Sequence, residues 1–169
     1  SDVCSSDLME LDLYGSYTGS ITDKLSWSAG VIGYIYPNSA SGTSYNWVEM
    51  WGGLSYNFDI FSVTGKIYYS PNYVDLSVHE IYYTGGISVP LGDIFTVNAN
   101  IGHTSLESAV APIITDYTDY NFNVAATYQN YTLTAGYSNT AGLNGVYKVQ
   151  AGPFQTTGQF FASIGFKLP

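Results

Sequence analysis

The sequence predicts an all-β protein: a transmembrane antiparallel up-and-down β-barrel, with nine strands visible of an expected twelve. Three observations lead there. Apolar and polar residues alternate with period two along segments of roughly ten residues, the length a tilted membrane strand needs. Short turns and longer loops join these segments alternately. Charged residues make up 10% of the chain, against about 25% in an ordinary soluble domain, too few to cover a water-facing exterior.

Residues 1–8, Ser1-Asp2-Val3-Cys4-Ser5-Ser6-Asp7-Leu8, match a reading frame of a widely used DNA-sequencing adaptor. They are expected to be an artefact, leaving 9–169 as a partial outer-membrane β-barrel domain without cysteine. In the first strand Leu11, Leu13, Gly15 and Tyr17 share a face, with Glu10, Asp12 and Tyr14 behind them. After the turn at Thr22-Asp23-Lys24, Leu25, Trp27, Ala29, Val31, Gly33 and Ile35 line the second strand. The third sets Val48, Met50, Leu54 and Tyr56 against Trp47, Glu49 and Trp51. A tight turn at Asp59 leads to Phe61, Val63, Ile67 and Tyr69, backed by Thr64, Lys66 and Tyr68. Ile81, Tyr83, Ile87 and Val89 follow, backed by Glu80, Tyr82 and Thr84.

Leu91-Gly92-Asp93 turns the chain into Phe95, Val97, Ala99 and Ile101, backed by Thr96, Asn98 and Asn100. A long loop is expected over 103–118, where Pro112 argues against a helix. Tyr120, Phe122, Val124 and Tyr128 form the next strand, and the turn at Gln129-Asn130 leads to Tyr131, Leu133 and Tyr137. A second long loop over 139–157 precedes Phe160, Ala162, Ile164 and Phe166, backed by Gln159, Phe161 and Lys167. Every charge placed within a strand falls on the polar face.

A soluble sheet would share this alternation. The membrane reading rests on a polar face of Ser, Thr, Asn and Tyr, and on aromatics sorted by height. Tyr17, Trp27, Tyr56, Phe61, Phe95, Tyr128, Tyr131 and Phe166 sit on the apolar face beside the short turns. Tyr69, Tyr83, Tyr120, Tyr137 and Phe160 sit toward the long loops, which gives the two girdles expected at the lipid interfaces. Bacterial single-chain barrels have even strand counts, so the nine strands as they stand should not close.

The stretches Leu11-Asp12-Leu13-Tyr14-Gly15-Ser16-Tyr17, Gly33-Tyr34-Ile35-Tyr36-Pro37 and Tyr45-Asn46-Trp47-Val48-Glu49-Met50-Trp51 resemble the TorF-like group of proteobacterial porins, once called Gcw_chp. Lys66-Ile67-Tyr68-Tyr69-Ser70-Pro71 extends the resemblance. It implies about three further N-terminal strands behind a signal peptide, a bacterial outer-membrane location, and passive diffusion of small solutes or ions. The partners implied are outer-membrane lipid and those solutes or ions. On this reading Glu10, Asp12, Trp47, Glu49, Trp51, Lys66, Tyr68, Glu80 and Tyr82 line the lumen. A filled structural or ligand-binding barrel is the alternative.

The balance of −9, with four lysines and no arginine, excludes nucleic acid, since no basic patch can meet a phosphate backbone. No catalytic, cofactor-binding or metal residues are expected. His79 and His103 near Ser77, Ser105 and Glu107 lack a nucleophile motif, so a lipid-modifying enzyme ranks last. Asp116 and Asp119 are a weak basis for a divalent cation.

Overall fold

Period-two alternation is realised as nine antiparallel strands in strict chain order. They are β1 (Leu11–Ser20), β2 (Leu25–Ile35), β3 (Trp47–Asn57), β4 (Ser62–Ser70), β5 (Glu80–Leu91), β6 (Phe95–Leu106), β7 (Tyr117–Tyr128), β8 (Tyr131–Ala141) and β9 (Gln159–Phe166). The computed structural model describes residues 11–37, 46–73, 78–106, 116–142 and 158–167. Glu10 and residues 1–8 lie outside the described residues, as do most of the two long loops.

The sheet is open. Its order runs from β1 to β9, and no pairing among the described residues joins β9 back to β1. This corrects the expectation of a closed transmembrane barrel. The obstacle is strand direction: in a nine-stranded meander the first and last strands run parallel. The antiparallel ladder that joins every neighbouring pair cannot join these two.

The register carries the alternation across the sheet. Leu13 faces Gly33, Val31 faces Met50, Leu54 faces Gly65, Ile87 faces Ala99, and Val97 faces Val124, all on one side. That side is exposed: Ile67 is 61% and Leu133 57% accessible. The enclosed side chains are polar instead. Glu49, Ser70, Glu80 and Thr104 are buried, and Val78 is the buried hydrophobic residue among those described. Side chains that crowd on one face and splay on the other mean that the sheet curves toward its polar face.

Two expected loops are shorter than the sequence suggests. β6 runs on through His103, Thr104 and Ser105, which pair with Tyr83, Tyr82 and Ile81, and β7 begins at Tyr117. β8 likewise continues through Asn139 to Ala141. Polar residues read as loop, yet Thr104 sits in the ladder on the polar face, while His103 and Ser105 continue the opposite face toward its rim. Asp116 marks the end of this extension, where its Oδ1 accepts a hydrogen bond from the Leu106 N–H at 2.9 Å.

The short turns are tightly made. The Thr22 hydroxyl accepts the Lys24 and Leu25 N–H groups, and the Asn57 N–H donates to the Lys24 carbonyl at 2.8 Å. Lys24 also pairs with Asp59 in the next turn along this edge. Asp59 and Gln129 hold left-handed backbones, φ 71° and 53°. For Asp59 the cost is offset locally, because the Asn57 carboxamide accepts its N–H at 2.9 Å. Gln129 has a Cβ where glycine would be unstrained. Gln129→Gly is therefore expected to stabilise the fold by about 0.5–1 kcal/mol. Chemical denaturation of the chain, with its apolar face covered by a mild amphiphile, measures this, and a loss of stability would contradict the strain.

Candidate functional site

The polar face holds a continuous row of large side chains. Across β3 to β7, Trp51 faces Tyr68, Tyr68 faces Tyr82, Tyr82 faces Thr104, and Thr104 faces Tyr117. One row nearer the long loops, Ser70 faces Glu80. Met50 faces Tyr69, so the residues one step further, Glu49 and Ser70, stand beside each other. Three neighbouring strands thus bring Glu49, Ser70 and Glu80 together although the sequence separates them widely.

Glycines make the room. Gly102 faces both Thr84 and Asp119, and a Cβ there would run into the Tyr82 hydroxyl and ring. The Tyr82 ring therefore lies over Gly102, and its hydroxyl donates to Asp119 Oδ1 at 3.2 Å. Gly30 lies under the Trp51 indole in the same way. Ring contacts extend the row, with Tyr68 and Tyr82 centroids 5.6 Å apart. Tyr34 stacks on Trp47 at 4.1 Å, and Tyr73 meets the same Trp47 edge-on at 4.9 Å. Lys66 Nζ sits 4.6 Å from the Trp51 ring centroid.

These side chains enclose a pocket of about 420 Å³ whose walls include Trp47, Glu49, Glu80, Tyr82, Tyr117 and Asp119. That volume lies within the range usual for small-molecule sites, roughly 300–1,000 Å³. Glu80 is 4% and Ser70 0% exposed, and among the described residues Glu80 Oε2 and Ser70 Oγ have no hydrogen-bond partner. Buried polar atoms are nearly always paired, so two bare ones on facing positions single out this part of the polar face. A larger groove, about 990 Å³, crosses Gly52, Gly65 and Gly85 on the apolar face. It offers almost no polar atoms to orient a ligand, so the functional site is placed on the polar face.

Burial shifts the acids of the pocket. Glu80 is pushed up to about 7, first by burial and then by the charge of Glu49. Burial raises Glu49 as well. Tyr82 is pushed up to about 12 by burial and by Asp119, and burial likewise raises Tyr68 and Tyr117. The tyrosines stay neutral at any ordinary pH, while Glu80 changes charge near neutrality.

Of the residues expected to line a lumen, Trp47, Glu49, Glu80, Tyr68 and Tyr82 converge on this pocket. Trp51 and Lys66 lie just beside it on the same face, and Asp12 lies away on β1. They line an open polar face, since the sheet encloses no lumen. The aromatics assigned to a lipid interface pair along the short-turn side, Tyr17 with Trp27 and Tyr131 with Phe166. Tyr117 and Thr104 escaped the sequence reading because they fell in an expected loop, and Asp119 was weighed there only as a weak basis for a cation; the continuing alternation of Tyr117, Asp119 and Asn121 is the signal that finds them. His79 Nδ1 meets the Tyr69 hydroxyl at 2.9 Å and His103 Nδ1 the Thr118 hydroxyl at 2.8 Å. Ser77 and Glu107 lie outside the described residues. Among the described residues no group of three His, Cys, Asp or Glu could hold a metal ion.

The fold and site define an open, all-antiparallel sheet with an apolar face and a pocketed polar face. The chain belongs to the Gcw_chp family, described as a bacterial protein of unknown function, which it matches over residues 1–165. No curated protein and no solved structure matches it. The family description assigns no porin activity, which corrects that part of the resemblance. Passive diffusion needs an enclosed path, and the open sheet has none. The expected outer-membrane location, and the partnership with its lipid and with solutes or ions in transit, rested on that closure and lose their support.

Two outcomes follow from this geometry. Unfolded, Glu80 ionises near 4.5; folded, near 7. Between those values the folded protein binds more protons than the unfolded chain, so rising pH lowers stability. The native chain should lose up to about 3 kcal/mol between pH 4.5 and 7.5 relative to Glu80→Gln. Unfolding free energies of both proteins at the two pH values test this, and a difference that does not change with pH refutes it. Gly102→Ala should cost about 1–3 kcal/mol by forcing the Tyr82 ring off its bond to Asp119. Phe in place of Tyr82 in the same background should then cost little more, since the bond is already gone.

Proposed function

We propose that this chain is a non-catalytic binding protein whose polar face is the receptor surface, with the Glu49–Glu80 pocket as the ligand seat. The observation that carries it is Glu80, a buried acid in the wall of an aromatic-lined pocket, opposite Ser70, with a carboxyl oxygen that has no partner among the described residues. A buried acid without a donor is costly, and its carboxyl group stands in the wall of a pocket where a small molecule could bond to it. This is capture by a pocket on an open sheet and requires no passage through it.

The absence of catalysis belongs to the same proposal. Both histidines bond to Tyr69 and Thr118 at the rim of the opposite face, away from the pocket acids. A general base must lie within hydrogen-bond reach of a nucleophile, and the pocket walls supply tyrosines that burial holds neutral.

Saturation-transfer NMR against a set of small amines, polyols and carboxylic acids tests the reading. At least one class should show transfer to the ligand, reduced about tenfold or more in affinity by Glu80→Gln and unchanged by Asn98→Ser, a substitution further along the polar face. If no class binds, or if Glu80→Gln leaves every interaction unaltered, the pocket is not the seat.

A further inference from the structure

The charge and chemistry of the pocket narrow its ligand. Three carboxylates, Glu49, Glu80 and Asp119, stand in its walls, and among the described residues neither Lys nor His lines it. An anionic ligand would meet repulsion there with no counter-charge. Of the neighbouring hydroxyls, Tyr82 donates to Asp119, and Ser70, which faces Glu80, makes no bond to its Oε2. What the site lacks is a donor that also carries positive charge.

The walls suit such a donor. Trp47, Tyr73, Tyr34 and Tyr68 present ring surfaces around the acids. Aromatic faces attract cations, most strongly where water is excluded. The neighbouring part of the same face already holds one ammonium group, Lys66 over Trp51 at 4.6 Å. A neutral polyol could donate hydrogen bonds to the carboxylates, but it would leave their charge buried and uncompensated.

We propose, building on the binding reading above, that the ligand is a small alkylammonium ion. Its nitrogen donates to Glu80 and Glu49, and its carbon chain lies against the Trp47 and Tyr73 rings. Binding is coupled to loss of the Glu80 proton. The groups facing Glu80 are Glu49 from β3, Tyr68 from β4, Tyr82 from β5 itself, Tyr117 and Asp119 from β7, and Tyr73 from the segment before β5. Burial holds Tyr68, Tyr82 and Tyr117 protonated, while Glu80 changes charge near neutrality. With Glu80 lifted to about 7, an entering cation favours its ionised form and drives the proton out. Affinity therefore rises with pH, by up to about tenfold per unit below that value.

The test titrates the whole chain with n-butylammonium, n-butanol and glucose at pH 5.5 and 8.0, following Trp47 and Trp51 emission and the heat of binding in buffers of different ionisation enthalpy. Butylammonium should bind at least tenfold tighter at pH 8.0 than at 5.5 and release close to one proton at the lower pH, while butanol binds weakly at both. Glu80→Gln should weaken butylammonium about tenfold or more at pH 8.0 and flatten the pH dependence. Glu49→Gln should weaken it while keeping a pH dependence, and far-UV circular dichroism checks both folds. If glucose binds, loses affinity in Glu80→Gln, and butylammonium does no better than butanol, the binding pocket stands and the cation proposal falls. If none of the three binds, both fall.

Discussion

A β-strand sends successive side chains to opposite faces, and this structure depends on how consistently the sequence uses that rule. Each strand from β1 to β9 keeps an apolar and a polar side, and the antiparallel register aligns like with like across every pair. The usual outcome is inverted. The apolar residues stay accessible while the enclosed positions are Glu49, Ser70, Glu80 and Thr104. Cohesion within the polar face then comes from directional contacts: the carboxamides of Asn98 and Asn123 and of Asn100 and Asn121 bond across β6 and β7. Large side chains also lie over glycines in the neighbouring strand, as Tyr82 does over Gly102 and Trp51 over Gly30. Each such pair lets a bulky polar side chain lie flat, and flat rings can form a continuous wall.

The two ends of that wall differ in how completely their polar groups are satisfied. Toward the short turns, Ser55 accepts from Thr64, Thr127 bonds Thr132, and Lys24 meets Asp59 between turns. Toward the long loops, Glu80 and Ser70 keep bare buried atoms. Sequence and structure agree with each other almost everywhere else, so a local disagreement of this kind points to function more than to stability. A Gln or Met at position 80 would remove the burden of a buried acid, yet the chain sets a second acid, Glu49, close enough to raise it further.

The nine strands were legible because alternation is local: a window of a few residues around Trp27 or Ile67 reveals both faces. Their ends were less so. His103, Thr104 and Ser105 look like loop to any reading that equates polarity with exposure, whereas Thr104 is 1% exposed. Closure was legible only through the odd strand count, by which these nine strands should not close, as they do not. A strand with one apolar face has the same sequence in an open and in a closed sheet, and whether β1 meets β9 is a matter of backbone pairing between segments remote in the chain. The aromatics sorted by height suggested two lipid interfaces, but residues such as Tyr131 and Phe166 also come together simply because they flank the same end of paired strands. The porin reading leaned on closure and on that sorting together, and went with the first.

The site was half visible. Alternation put Trp47, Glu49, Trp51, Lys66, Tyr68, Glu80 and Tyr82 on one face, and the structure keeps them there. Their convergence depends on register, which no strand specifies alone. Were β5 shifted by two residues against β4, every side chain would keep its face, but Tyr82 or Val78 would move toward the position Glu80 now holds beside Ser70. The two acids would then be separated and the bare acceptors paired with other groups. The pocket is thus a property of how neighbouring strands are set against one another, fixed at one end by turns such as Leu91-Gly92-Asp93, where Gly92 takes φ 66°. That turn joins β5 to β6 and sets the register that brings Tyr82 opposite Thr104, as the turn at Asp59 sets the register that brings Glu49 beside Ser70 between β3 and β4.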